Sequence, residues 1–158
     1  MNLDSESLHS PSLQEVLEDI EKSLPENGGI LMQDFTEEDV HLLYELGFNL
    51  YQVGDYKKGE EIFKRLVIAC PLEKNHWRGL GSCLQMQQKY EEALVSWSMC
   101  TIVDPQNPLP HFHAAECLFS LDQLDDALQA LKAAENRDNE KTFVGKISAL
   151  KQTWSIYD

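Results

Sequence analysis

A chain of 158 residues, 42% of them apolar, has the length of one domain and can bury roughly 70% of the surface that its unfolded form exposes. No stretch approaches the ~20 apolar residues of a membrane-crossing helix, and no basic start followed by an apolar run marks a secretory leader, so the chain is expected to stay in the compartment where it is made. Its 27 acidic and 13 basic side chains give a net charge of −14, which repels phosphate and argues against direct contact with nucleic acid or an anionic membrane.

Residues 1–35 form a separate acidic segment. Through residue 40 there are eleven acids and a single base, Lys22, so −10 of the −14 lies here. The charge serves either general solubility or a hydrophobic or basic client that must be held in solution. Ser12 and Glu15 make a capping-box pattern just after Pro11, which predicts a helix over about 12–24. Leu13, Val16, Leu17, Ile20 and Leu24 fall on one face of it and the acids on the other. Pro25 and Asn27-Gly28-Gly29 then break it. A lone helix of about twelve residues is marginal in water, so this face must dock on the chain's own repeats or pair two copies. A homodimer contact is the expectation.

The next helix has a sharp start, with Thr36 as cap, Asp39 answering three residues later and Phe35 placed to staple Val40. From here a thirty-four-residue period runs over 36–141, in units 40–73, 74–107 and 108–141. Gly47, Gly81 and Ala115 hold one column; Leu50, Leu84 and Leu118 hold another. Tyr56, Tyr90 and Leu124 follow, then Gly59, Ala93 and Ala127, then Phe63, Trp97 and Leu131. Pro71 and Pro105 close two units, with Asn139 in the third place. This is the tetratricopeptide pattern. Each first helix (about 40–53, 74–87 and 109–121) needs a tiny residue where the second helix crosses it, and large side chains fill the space beside the crossing. The predicted fold is all-α: three tetratricopeptide repeats stacked as a right-handed superhelix, preceded by the amphipathic helix and followed by a capping helix in 142–158. Phe143, Ile147, Leu150, Trp154 and Tyr157 line the inner side of that last helix, as an end cap of a repeat stack requires.

Nothing in the chain reads as a catalytic or metal site, and no cofactor is expected. His111 and His113 diverge by about 200° on a helix and cannot share a metal. Gly79-x-Gly81 belongs to the repeat skeleton and follows no strand. Glu116 is an acid without an obvious partner, a poor general acid or base. The four cysteines include no C-x-x-C pair, and Cys83 and Cys117 share one column, so they read as small buried hydrophobes.

The first helices of such a stack line a concave face through residues outside the packing columns. Aromatic side chains at Tyr44, Phe48, Tyr51, Phe112 and Phe119 stand there and offer anchoring pockets. Asn75, Ser82 and Gln85 between them can hydrogen-bond an extended backbone, and Leu109, His113 and Glu116 complete the surface. Arg78 is the one base, so this groove lacks the converging cations that grip a free carboxylate. It suits an internal, extended, largely apolar segment.

The run Gly79-Leu80-Gly81-Ser82-Cys83-Leu84-Gln85, then Tyr90-Glu91-Glu92-Ala93, and above all Pro110-His111-Phe112-His113-Ala114-Ala115-Glu116-Cys117-Leu118, resembles the class II chaperones of type III secretion systems. The likeness spans about residues 35–135, with Leu43 and His111 in place of the usual aromatic. It implies a bacterial cytoplasmic protein that keeps hydrophobic translocator proteins soluble and apart before export. The resemblance further implies a dimer, and a client segment of the P-x-L-x-x-P kind held by Tyr44, Phe48, Tyr51, Arg78, Ser82, Phe112, His113 and Glu116. A general repeat adaptor and a regulatory partner of a transcription activator remain the alternative functions.

Overall fold

The computed structural model describes residues 11–24 and 35–155. Within them the chain is all helix: α1 (Leu13–Ser23), α2 (Glu37–Gln52), α3 (Tyr56–Ala69), α4 (Lys74–Met86), α5 (Tyr90–Val103), α6 (Pro108–Ser120), α7 (Leu124–Arg137) and α8 (Val144–Trp154). From α2 to α7 the elements form three antiparallel pairs, each helix packing on the one before and the one after it. No helix among the described residues is long and apolar enough to cross a membrane.

The repeat governs the backbone as well as the side chains. Gly54, Gln88 and Asp122 are thirty-four residues apart, and each takes the left-handed conformation (φ 83°, 61° and 59°) in the turn inside its pair. Only the first is glycine; the other two accept the modest cost of a side chain there. The same bond closes each turn: Leu50, Leu84 and Leu118 accept through their carbonyls from the amides of Asp55, Lys89 and Gln123 at 2.9–3.0 Å. Two helix starts carry the expected capping boxes, Ser12 with Glu15 and Thr36 with Asp39.

The small-residue columns are explained by what crosses them. A Cβ at Gly47 would lie 3.0 Å from the Phe63 ring, and one at Gly81 would lie 2.8 Å from Trp97. A Cβ at Gly59 would lie 2.9 Å from Cys83 Sγ. In the third pair the smaller Leu131 stands where Trp97 does in the second, and Ala115 fits opposite it. One core gathers Phe63, Leu66, Val67, Trp77, Leu80, Leu84, Trp97 and the thiols of Cys83, Cys100 and Cys117. Burial pushes those three thiols up to about 12, which leaves them protonated and inert. A second core joins Phe112, Ala115, Ala127, Leu131 and Ala134 to Ile147 and Trp154 of α8.

One charged cluster inside the stack has no counterpart in the repeat pattern. Glu60, 4% exposed, pairs with Lys64 at 2.7 Å and Lys89 at 2.9 Å and accepts from Gln87 Nε2 at 2.8 Å. Burial pushes its carboxyl up, but those hydrogen bonds outweigh burial and hold it below the ordinary carboxylate range. It ties α3 to the turn that precedes α5.

The two terminal helices differ in detail from expectation. The face of α1 expected to pair two chains is packed against the chain's own first core: Val16 is buried, and Leu13, Leu17 and Ile20 are half-buried against it. Leu24 lies just past the helix end and is half-buried. The apolar furrow beside α3 supplies the cover that a short amphipathic helix needs. At the other end, the Asp138 carboxylate accepts from the amides of Thr142 (2.8 Å) and Phe143 (2.7 Å) and fixes the turn that leads into α8, whose first residue is Val144. Ile147 and Trp154 are buried, Phe143 and Leu150 half-buried; Tyr157, expected on the same side, lies outside the described residues.

Candidate functional site

The first helices α2 and α4 face each other across a hollow of about 220 Å³. Tyr44, Phe48 and Tyr51 form one wall; Asn75, Arg78 and Ser82 form the other. The floor is the ring of Phe63, a residue that the sequence assigns only to packing. That ring is almost fully buried, and the backbone of Gly79 packs directly on it: a Cβ there would fall 2.2 Å from the ring. Phe48 is 48% exposed. Tyr44 is held edge-on to Phe63, with centroids 6.0 Å apart, and Tyr51 leans on Tyr56 at 5.5 Å. Burial, with Tyr56 and Cys83 beside it, pushes the Tyr51 phenol up and keeps it neutral. The side chains of Asn75, Arg78 and Ser82 make no hydrogen bond among the described residues. Six residues expected in the groove thus form one open, ring-walled socket with free polar groups on its rim.

The remaining expected residues behave otherwise. Gln85, His113 and Glu116 are bound to one another. Trp97 Nε1 donates to Gln85 Oε1 at 3.0 Å, and Gln85 Nε2 donates to Glu116 Oε2 at 2.9 Å. That oxygen lies 2.8 Å from His113 Nδ1, and the His113 ring stacks on Trp97 at 4.7 Å. Burial pushes the Glu116 carboxyl up; hydrogen bonds from His113 and Gln85, with the charges of His113 and Lys146, more than offset it and keep the group below the ordinary carboxylate range. Gln85 is therefore not free to bond a client backbone, and Glu116 is not the partnerless acid that the sequence suggests. The i,i+3 spacing of His113 and Glu116 is the signal that finds their pairing.

Phe112 and Phe119 are corrected more strongly. Phe112 is 5% exposed, its ring 5.4 Å from Phe143; Phe119 stacks on Trp154 at 4.5 Å with planes 9° apart. Phe112 is thus part of the second core, and Phe119, half-buried, packs against that core under Trp154. Leu109 is half-buried against the first core.

The low calcium response locus protein H of Yersinia pestis is 32% identical over 129 residues, which make up 80% of this chain and 77% of that protein. The chain belongs to the class II chaperones of type III secretion. Similar solved structures include chaperones in complex with a peptide or with a chaperone binding region. SycD of Yersinia enterocolitica, in complex with a peptide of the translocator YopD, is 28% identical with a TM-score of 0.73, covering 77% of this chain and 96% of its own. PcrH, a Pseudomonas aeruginosa protein, in complex with the chaperone binding region of PopD, is 30% identical with a TM-score of 0.75, covering 82% and 100%. No family model matches the chain.

Proposed function

We propose that this chaperone binds a hydrophobic translocator through an extended segment laid along the first helices, and keeps it soluble in the bacterial cytoplasm until export. The observation that carries the reading is the socket between α2 and α4: a wall of three aromatic rings, with Asn75, Arg78 and Ser82 opposite and without hydrogen bonds among the described residues, in a chain similar to SycD in complex with a peptide of the translocator YopD and to PcrH in complex with the chaperone binding region of PopD. The physics suits a P-x-L-x-x-P segment. Prolines pre-set an extended backbone and so reduce the ordering cost, and a leucine or proline ring fills a desolvated aromatic pocket. Phe112, His113, Glu116 and Phe119 of α6, roofed or bonded, stand outside this reading with Gln85; Tyr44, Phe48, Tyr51, Asn75, Arg78 and Ser82 carry it.

A homodimer belongs to the same proposal, since SycD is described in an alternative dimer. Because α1 covers its own core, pairing through Leu13, Val16, Leu17, Ile20 and Leu24 requires α1 to leave that core or exchange between copies. Co-expression with the cognate translocator tests both halves. The soluble complex should form with the parent chain, while Phe48→Ala with Arg78→Ala leaves the translocator in the pellet although the chaperone itself stays folded. Light scattering of the free chaperone should report twice the chain mass. A soluble complex that survives the double substitution would remove the groove from the account.

A further inference from the structure

A second hollow, of about 380 Å³, adjoins the aromatic socket and shares Tyr44 and Asn75 with it. Its chemistry is different. Glu37 and Glu73 line it, with His41 and His76, and no Lys or Arg does. The fold places both carboxylates there. Glu37 is the first residue of α2, where the helix dipole favours an anion. Glu73 is the cap of α4, its Oε1 accepting from the Asn75 amide at 3.2 Å, which leaves its second oxygen over. His41 is turned to Glu45 at 3.3 Å. An independent feature marks the same place: His76 is 3% exposed, and its Nδ1 has no hydrogen-bond partner among the described residues. Buried polar atoms are rarely left unpaired, and one in the lining of a hollow suits a partner that a bound molecule supplies. Burial also holds His76 below the ordinary histidine range, against the opposing charge of Glu73, so the ring is neutral and does not repel a cation.

We infer that this hollow receives a Lys or Arg side chain of the client segment, next to the apolar side chain in the aromatic socket. The inference rests on the peptide-binding reading above and adds a specificity element to it: the two sockets together select an apolar residue with a basic neighbour on the same side. In an extended chain that neighbour lies two or three residues away, since side chains share a face every second residue in a strand and every third in a polyproline helix, an advance of roughly 6.6–9.3 Å. Two carboxylates without a basic partner in the hollow attract such a side chain and exclude an acidic one.

Fluorescence polarisation with labelled P-x-L-x-x-P peptides tests this on the full chain. Lys, Ala or Glu is moved in turn through each x position and the three residues on either side. At one position Lys should bind about fivefold or more tightly than Glu, with Ala between. Glu37→Gln with Glu73→Gln, which keeps the α4 cap oxygen, should erase that preference while the all-Ala peptide binds as before and the melting midpoint falls by no more than the loss of the Glu37 charge at the start of α2 explains. Equal binding of Lys and Glu peptides at every position, or a preference that survives the double substitution, overturns the inference alone. Failure of the all-Ala peptide itself to bind would overturn the client reading and this inference with it.

Discussion

Tyr44, Phe48 and Tyr51 of α2 occupy the same three places of the thirty-four-residue period as Phe112, Glu116 and Phe119 of α6. The first trio walls an open hollow; in the second, both rings are covered and the acid is bonded. The difference comes from the next helix in the stack. Against α2 stands α4, whose Asn75, Gly79 and Ser82 are small or polar and leave the rings uncovered. Against α6 stands α8 with Phe143 and Trp154 at its two ends, and these large rings close the face. Whether an aromatic in a repeat protein is a socket or a core residue is thus decided one repeat later than the residue itself.

The largest expected effect comes from removing the roof. Trp154 is 3% exposed and stacked on Phe119; Trp154→Ala should cost about 3–5 kcal/mol in urea unfolding and raise the binding of a hydrophobic dye as the α6 rings open. An unchanged midpoint would mean that α8 does not close this face in solution. A smaller effect separates two glycines. Gly79→Ala would drive a methyl group against the buried Phe63 ring and fill the socket floor, so it should cost about 1–3 kcal/mol and weaken peptide binding together with stability. Gly145→Ala, in α8, meets nothing within 4 Å and should be neutral or stabilising by a few tenths of a kcal/mol. Equal effects at both positions would erase the distinction between the two ends.

The repeat was legible because it is written in side-chain volume. Gly47 opposite Phe63 and Gly81 opposite Trp97 can be read as pairs from spacing alone, and they place α2 to α7 to within a few residues, as with 74–87 against Lys74–Met86. Tyr44, Phe48, Tyr51, Asn75, Arg78 and Ser82 followed from the same register, since they are the positions that the columns leave over. What escaped lies outside the packing columns. Phe143 and Trp154 do continue the period, at the places of Leu109 and Ser120, but these places belong to no packing column, so the spacing alone does not show that large rings there cover Phe112 and Phe119. The Gln85–Glu116 bond joins residues thirty-one apart and depends on side-chain reach. The amphipathic face of α1 states that it needs cover but does not name its partner. Phe63 was read as packing and is packing; only the missing side chain at Gly79 makes it a floor as well.

The smallest effect is a pH dependence to which both ends contribute. Burial lowers both His76 and His111; at His76 the charge of Glu73 opposes that shift, whereas at His111 the guanidinium of Arg137 adds to it. In each case the unfolded chain, titrating near about 6.5, takes up a proton that the folded chain refuses. The unfolded state then holds more protons, so stability rises with pH through this window. The contribution is complete above about pH 6.5 and is lost as the pH falls from there toward the lowered folded values. Glu60 and Glu116, both held below the ordinary carboxylate range, act in a lower window: their stabilisation is full above about pH 4.5 and fails as pH falls through the folded values. Urea midpoints measured from pH 8 to about 2.5 should therefore fall in two stages. His111→Asn and His76→Asn should each flatten the first stage. A His111→Asn profile parallel to that of the parent chain would show that this ring carries no proton linkage, and the first stage would then belong to the other end alone.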